Sequence, residues 1–87
     1  MYSIESTDKF KKITKKLFKK DREQLKALEK KAQEILENPY RYKPLSGKMA
    51  GTYRVHIQKS FVLTYEINEI EKIVRFLDYD HHDNIYE

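Results

Sequence analysis

The sequence predicts an α+β domain: a short N-terminal strand, an α-helical hairpin, then a three-stranded antiparallel meander, together forming one small antiparallel sheet with the hairpin on one face. Three observations carry this. Apolar residues recur at helical spacing up to residue 37 and at every second position after residue 51. The stretch between them, 38–51, holds both prolines and both glycines. The chain has 87 residues and no internal repeat, which gives a single domain over 1–87.

Residues 1–5 alternate, with Tyr2 and Ile4 on one side, as a short strand does. Ser6, Thr7 and Asp8 offer helix N-caps. Phe10, Ile13 and Leu17 then follow at helical spacing, and seven lysines between Lys9 and Lys20 fill most other positions. A second helix starts at Asp21, which with Gln24 resembles a capping box. Its stripe is Leu25, Leu28, Ala32, Ile35 and Leu36, and Asn38-Pro39 ends it because the residue before proline avoids the helical region. After a basic loop, Tyr53, Val55 and Ile57 alternate with Arg54 and His56, and Phe61, Leu63, Tyr65 and Ile67 alternate with Val62, Thr64 and Glu66. A turn near Asn68-Glu69 leads to a third strand, roughly Lys72 to Tyr79. Its phase stays open, because Val74/Phe76 and Ile73/Leu77 are both apolar pairs.

The composition is 39% hydrophobic and 37% charged, and seven tyrosines and four phenylalanines argue for a folded chain. The absence of cysteine excludes a disulfide framework and a thiolate zinc site. No apolar run approaches the roughly 18 residues of a membrane span, and no signal peptide opens the chain, so a cytoplasmic protein without membrane contact is expected. The net charge of +4 is unevenly spread. Residues 1–65 carry 16 Lys/Arg against 7 Asp/Glu, a balance of +9, whereas residues 66–87 carry 2 against 7, a balance of −5. No acid stands between Glu37 and Glu66, while Arg41, Lys43, Lys48, Arg54 and Lys59 are all basic. Such a zone attracts polyanions.

If Tyr53, Val55 and Ile57 are buried, Arg54 and His56 share the opposite face, and Arg75 joins them if Val74 and Phe76 point to the core. That face is either an ordinary wet sheet surface or a basic concavity holding a histidine. The run Asp78 to Tyr86 contains His81 and His82 among carboxylates. Adjacent residues on an extended chain point opposite ways, so the two histidines are poor joint ligands, and no metal site or cofactor is expected. A histidine beside carboxylates can instead exchange protons near neutral pH. The chain lacks a glycine-rich phosphate loop, a G-x-S-x-G elbow and a Cys/His pair, so nucleotide-dependent and acyl-transfer chemistry is not supported.

Three segments carry a resemblance. Leu45-Ser46-Gly47-Lys48-Met49-Ala50-Gly51-Thr52-Tyr53-Arg54-Val55-His56-Ile57 resembles the L-x-G-x-x-x-G-x-Y-R-x-x-I segment of the RelE/ParE superfamily of toxin–antitoxin toxins. Leu63-Thr64-Tyr65-Glu66-Ile67 is similar to the L-x-Y-x-I strand that follows in that family, and His82-Asp83-Asn84-Ile85-Tyr86 to its H-x-x-[IV]-Y ending. Many relatives have an Arg where Val62 stands here. The segment His56 to Leu63 looks more like the YafQ branch, which uses histidines where other members use arginines, although Ser60 replaces that branch's Asp.

The resemblance implies a RelE-like fold and a type II toxin that cuts mRNA in the ribosomal A site. The implied chemistry is metal-free attack by a ribose 2′-hydroxyl, with charge on phosphorus stabilised by basic side chains. It implies catalytic roles for Arg54, His56, His82 and Tyr86, with His81 as a substitute for His82 and the acid and base unassigned. It implies RNA or phosphate contacts from Lys48 and Arg54, to which the acid-free zone adds Lys43 and Lys59 and the open sheet face adds Arg75 as candidates. Its partners would be a RelB-like cognate antitoxin, partly disordered alone, together with the ribosome and mRNA. The alternatives are a ParE-like toxin that poisons DNA gyrase by binding, and a catalytically decayed member that only holds its antitoxin.

Overall fold

The computed structural model describes residues 2–45 and 51–85. Thr7 is extended (φ −70°, ψ 161°), and its hydroxyl oxygen accepts the Phe10 N–H at 3.1 Å to start α1 (Asp8–Lys20). The same hydroxyl donates to the Leu77 carbonyl at 2.8 Å, and the Thr7 N–H donates to the Phe76 carbonyl at 3.1 Å. One residue thus caps a helix and ties it to the last strand. Asp21 ends α1 and opens α2 (Arg22–Glu37): its N–H donates to the Leu17 carbonyl at 2.8 Å, and its carboxylate accepts the Gln24 N–H at 3.1 Å. The Gln24 side chain does not close the capping box. It donates to the buried Tyr79 hydroxyl at 2.7 Å, across the domain.

Asn38-Pro39 ends α2 as expected, but the chain then makes a 3-10 turn (Pro39–Arg41) and a two-residue strand, β2 (Lys43–Pro44). The first part of the predicted loop therefore has regular structure. The remaining strands are β1 (Ser3–Ser6), β3 (Thr52–Ile57), β4 (Phe61–Asn68) and β5 (Ile73–His81). Among the described residues they form one sheet in the order β1-β5-β4-β3-β2. The β3-β4-β5 meander is antiparallel as expected. The expectation of a wholly antiparallel sheet needs correction: β1 runs parallel to β5, pairing Ser3 with Ile73 through Ser6 with Phe76. The helical hairpin between the first strand and the meander gives the long crossover that a parallel neighbour requires.

The hairpin covers one face of the sheet. Phe10, Leu28, Ile35 and Leu36 from the helices meet Val55, Ile57, Leu63, Tyr65, Val74, Phe76 and Tyr79 from the strands. Phe10 stacks on Phe76 at 5.4 Å, and Phe61 on Tyr79 at 5.3 Å. The open phase of the third strand has a structural answer. Phe76 pairs with Tyr65 and Asp78 with Thr64, so Leu77 is an extra residue in a bulge. Val74 and Phe76 face the core before it, and Tyr79 faces the core after it. A short helix, α3 (His82–Ile85), follows β5 and folds against β4 and β5. Among the described residues, no helix is long and apolar enough to cross a membrane.

Candidate active site

The strand register decides which polar side chains meet on the face away from the helices. His56 pairs with Val62, and Val62 with Asp80; Arg54 pairs with Thr64 on one side and Lys43 on the other. Residues directly opposite in a ladder project to the same face, so Lys43, Arg54 and His56 occupy one end of it. An open cleft of about 470 Å³ is lined there by Arg41, Tyr42, Lys43, Arg54, Val55 and His56. The Tyr42 ring lies beside the cations of Lys31 (5.8 Å) and Arg41 (6.0 Å), which hold that wall against α2.

The last helical turn brings in the second histidine. The His82 N–H donates to the Ser60 carbonyl at 2.7 Å, pinning the start of α3 to the β3–β4 turn. The His82 ring then stacks on that of His56, with centroids 5.9 Å apart and planes 27° from parallel. Asp80 Oδ1 accepts from the His81 N–H at 2.7 Å and from the Asn84 amide at 3.1 Å, which fixes the turn from the strand side. Asp83 Oδ1 lies 3.5 Å from His82 Nδ1. The site thus gathers two imidazoles, a carboxylate beside one of them, and a basic wall. These are the parts that proton transfer at a phosphodiester requires.

The other expected site residues fall elsewhere. His81 pairs with Phe61 and meets its ring edge-on at 5.7 Å, on the helix side of the sheet, so it does not share a site with His56. Its Nδ1 accepts the Asp83 N–H at 3.3 Å, which puts the ring proton on Nε2 in that arrangement. Arg75 does lie on the open face, in the row Thr52–Glu66–Arg75–Glu5, but its guanidinium is bound between the Glu5 and Glu66 carboxylates. It is held as an ion pair and is not brought into the cleft. Lys59 is exposed in the β3–β4 turn, beyond the strand that carries His56. Lys48 and Tyr86 lie outside the described residues. Arg41, Tyr42, Asp80 and Asp83 were not singled out from the sequence as site residues. The first two reach the cleft only because two residues of β2 pair with β3, a strand too short to leave a periodic signal.

Comparison with known proteins agrees with this architecture. The family model described as the ParE toxin of the type II toxin–antitoxin system parDE matches residues 4–86. A protein of Methanocaldococcus jannaschii, provisionally named toxin RelE4, is 49% identical over 87 residues, covering 100% of this chain and 93% of its own length. Among solved structures, the toxin–antitoxin complex RelBE2 of Mycobacterium tuberculosis contains a chain with a TM-score of 0.78 and 27% identity, covering 92% of this chain and 96% of that one. YafQ of Escherichia coli gives a TM-score of 0.69 and 24% identity, with full coverage of both chains. At that identity the YafQ likeness is one of fold.

Proposed function

The chain belongs to the RelE/ParE superfamily of type II toxin–antitoxin toxins, and from that premise we propose that it is a ribosome-dependent endoribonuclease that cleaves mRNA in the A site. The observation that carries this reading is the stacked His56–His82 pair beside a cleft walled by Arg41, Lys43 and Arg54. His56 takes the proton from a ribose 2′-hydroxyl; the oxygen attacks the adjacent phosphorus, and the bond to the 5′-oxygen breaks. His82 gives that leaving oxygen a proton. The products are a 2′,3′-cyclic phosphate and a free 5′-hydroxyl. The Asp83 carboxylate stands 3.5 Å from His82 Nδ1, on the side of the ring away from Nε2, which is left to exchange the proton. The basic wall stabilises charge as it develops on the phosphoryl oxygens. Use of histidines in these roles is what the YafQ-like segment implied, and the pairing of the two rings supports it.

The second surface belongs to a partner. Ile4 and Phe18 are more than half exposed beside a groove lined by Phe10, Leu25, Leu28, Ala32 and Phe76, with Lys11 and Lys15 at its rim. β1, the outermost strand on this side of the sheet among the described residues, runs alongside. An acidic amphipathic segment of an antitoxin, disordered until it docks, would cover these apolar groups and neutralise the lysines. Such a partner, the cytoplasm as the place of action, and the ribosome as target are parts of the same proposal.

Primer extension on an mRNA in cell-free translation tests the activity: new 3′ ends within translated codons are expected when the protein is added. The matching family model is named for ParE, which favours inhibition of DNA gyrase as the second reading. Blocked supercoiling by purified gyrase with intact mRNA would select that reading instead.

A further inference from the structure

The β4–β5 turn carries a carboxylate whose bonds reach well beyond the turn. Glu69 Oε1 accepts hydrogen bonds from the hydroxyls of Tyr2 and Tyr40, each at 2.6 Å, and Oε2 receives the Lys72 ammonium. The Lys72 ammonium also lies 5.3 Å from the Tyr2 ring centroid. Lys72, Tyr2 and Tyr40 together hold the Glu69 carboxyl down at about 2, and the bond to Glu69 pushes the Tyr40 hydroxyl up to about 12. Tyr40 is the middle residue of the 3-10 turn. Its ring meets Tyr53 edge-on at 6.1 Å; Tyr53 stacks on Tyr65 at 5.4 Å; and the Tyr65 hydroxyl donates to the Pro39 carbonyl at 2.6 Å. The turn is therefore held from the core by Tyr65 and from the surface by Glu69.

The residues that follow this turn are Arg41, Tyr42 and Lys43, the outer wall of the cleft. Among the described residues, Lys43 and Pro44 of β2 pair with Arg54 and Tyr53 of β3, and the Leu45 N–H donates to the Thr52 carbonyl at 2.7 Å. This short ladder holds the wall from the β3 side, and Tyr40 fixes the chain immediately before Arg41. We propose that Glu69 is a positioning residue for RNA: through the Tyr40 hydroxyl it sets where Arg41 and Lys43 meet the phosphates of a strand bound in the cleft. This rests on the reading of the cleft as an RNA site. Glu69 follows the last residue of β4, while His56 pairs with Val62 near its first, a separation along the strand of about 20 Å. Over that distance and at physiological salt its charge is largely screened from the His56 end of the cleft.

The sign of the effect separates positioning from electrostatics. Removing a negative charge from the surface leaves binding of a polyanion unchanged or tighter. Loss of positioning weakens it. The test is anisotropy of a fluorescein-labelled single-stranded RNA, with KM and kcat measured on programmed ribosomes. Glu69→Ala and Tyr40→Phe should each raise Kd and KM about three- to tenfold, with kcat changed less than about twofold. The double variant should be no weaker than Glu69→Ala. Glu69→Gln, which keeps one acceptor, should lie between, and Tyr2→Phe, which touches no wall residue, should match the wild type. In Tyr40→Phe the fold is kept by the unchanged ring, so weaker binding there cannot be assigned to unfolding. RNA bound as tightly or more tightly by Glu69→Ala and Tyr40→Phe overturns the inference and leaves the site reading standing. Wild-type protein that binds no RNA overturns both. Binding that shifts as expected without cleavage removes the nuclease and keeps the inference.

Discussion

The imidazoles of His56 and His82 lie 5.9 Å apart between centroids, although one side chain stands on an inner strand and the other on the last helical turn. Two local devices make the meeting. Arg54 and His56 alternate with buried Val55 and Ile57, so β3 turns its histidine away from the helices. Asp80 and the Ser60 carbonyl then hold α3 so that His82 returns over the same end of the sheet.

Asp80 should therefore matter to cleavage without touching RNA. In Asp80→Ala, the His81 N–H at the end of β5 and the Asn84 amide of α3 lose the carboxylate that accepts them. The expected result is a loss of about tenfold or more in cleavage rate, because misplacing a reacting group by about 1 Å carries penalties of that order. Thermal unfolding followed by circular dichroism should shift only a few degrees, and a full collapse of the transition would contradict this assignment.

Binding of single-stranded RNA should weaken with salt. If Arg41, Lys43 and Arg54 each neutralise one phosphate, log K against log salt should have a slope near about −2. Lys43→Ala should make the slope shallower by about 0.7, whereas Arg75→Ala should leave it nearly unchanged, since Glu5 and Glu66 already hold that guanidinium. Titrations at several salt concentrations measure both.

The buried pair Gln24–Tyr79 should report on folding alone. Tyr79 is 3% exposed and Gln24 8%, so Tyr79→Phe leaves an amide in the interior without its partner. The cost should be about 1–3 kcal/mol. At about 4–8 °C per kcal/mol for a domain this size, the fall in Tm is readily measured by calorimetry. Replacing Gln24 by Leu in the same chain should recover part of it, because no polar group is then stranded.

Stability at extreme pH should follow the Glu69 clasp. The Glu69 carboxyl sits at about 2 in the fold, lowered first by the Lys72 bond and then by those of Tyr2 and Tyr40. An unfolded chain has about 4.3. Because the folded value is depressed, its stabilisation is complete above about pH 5 and is lost as pH falls through about 2. Tyr40 behaves in the opposite sense: raised to about 12 in the fold, it contributes stability below pH 10 that is lost as pH climbs through 12. Denaturant melts of the wild type and Glu69→Gln should separate at neutral pH and converge near pH 2.

Much of this arrangement is legible in the sequence, and each part that is not has a physical cause. The Ser6-Thr7-Asp8 group, Asp21 and Asn38-Pro39 bound the helices because caps and prolines act within a few residues, and the structure selects Thr7 as the first cap. The period-two runs placed Arg54 and His56 on the open face for the same reason. The phase of β5 was not legible, since a bulge at Leu77 lets the strand begin in one phase and end in the other. The face of Arg75 depended on that open phase, and its pairing with Glu5 depends on β1 lying beside β5 in parallel, a contact between opposite ends of the chain. His81 and His82 could be separated only as adjacent residues on opposite sides; which of them meets His56 was set by the turn into α3.

The central claim is that His56 and His82 carry the proton transfers, and single-turnover cleavage of mRNA on programmed ribosomes tests it most directly. General acid–base groups contribute about 10²- to 10⁴-fold, so His56→Ala and His82→Ala should each lose that much, with the wild-type melting transition retained and His81→Ala near full activity. Cleavage by both His56→Ala and His82→Ala within about threefold of the wild type would contradict the account, since groups that exchange the reacting protons cannot be removed at so small a cost.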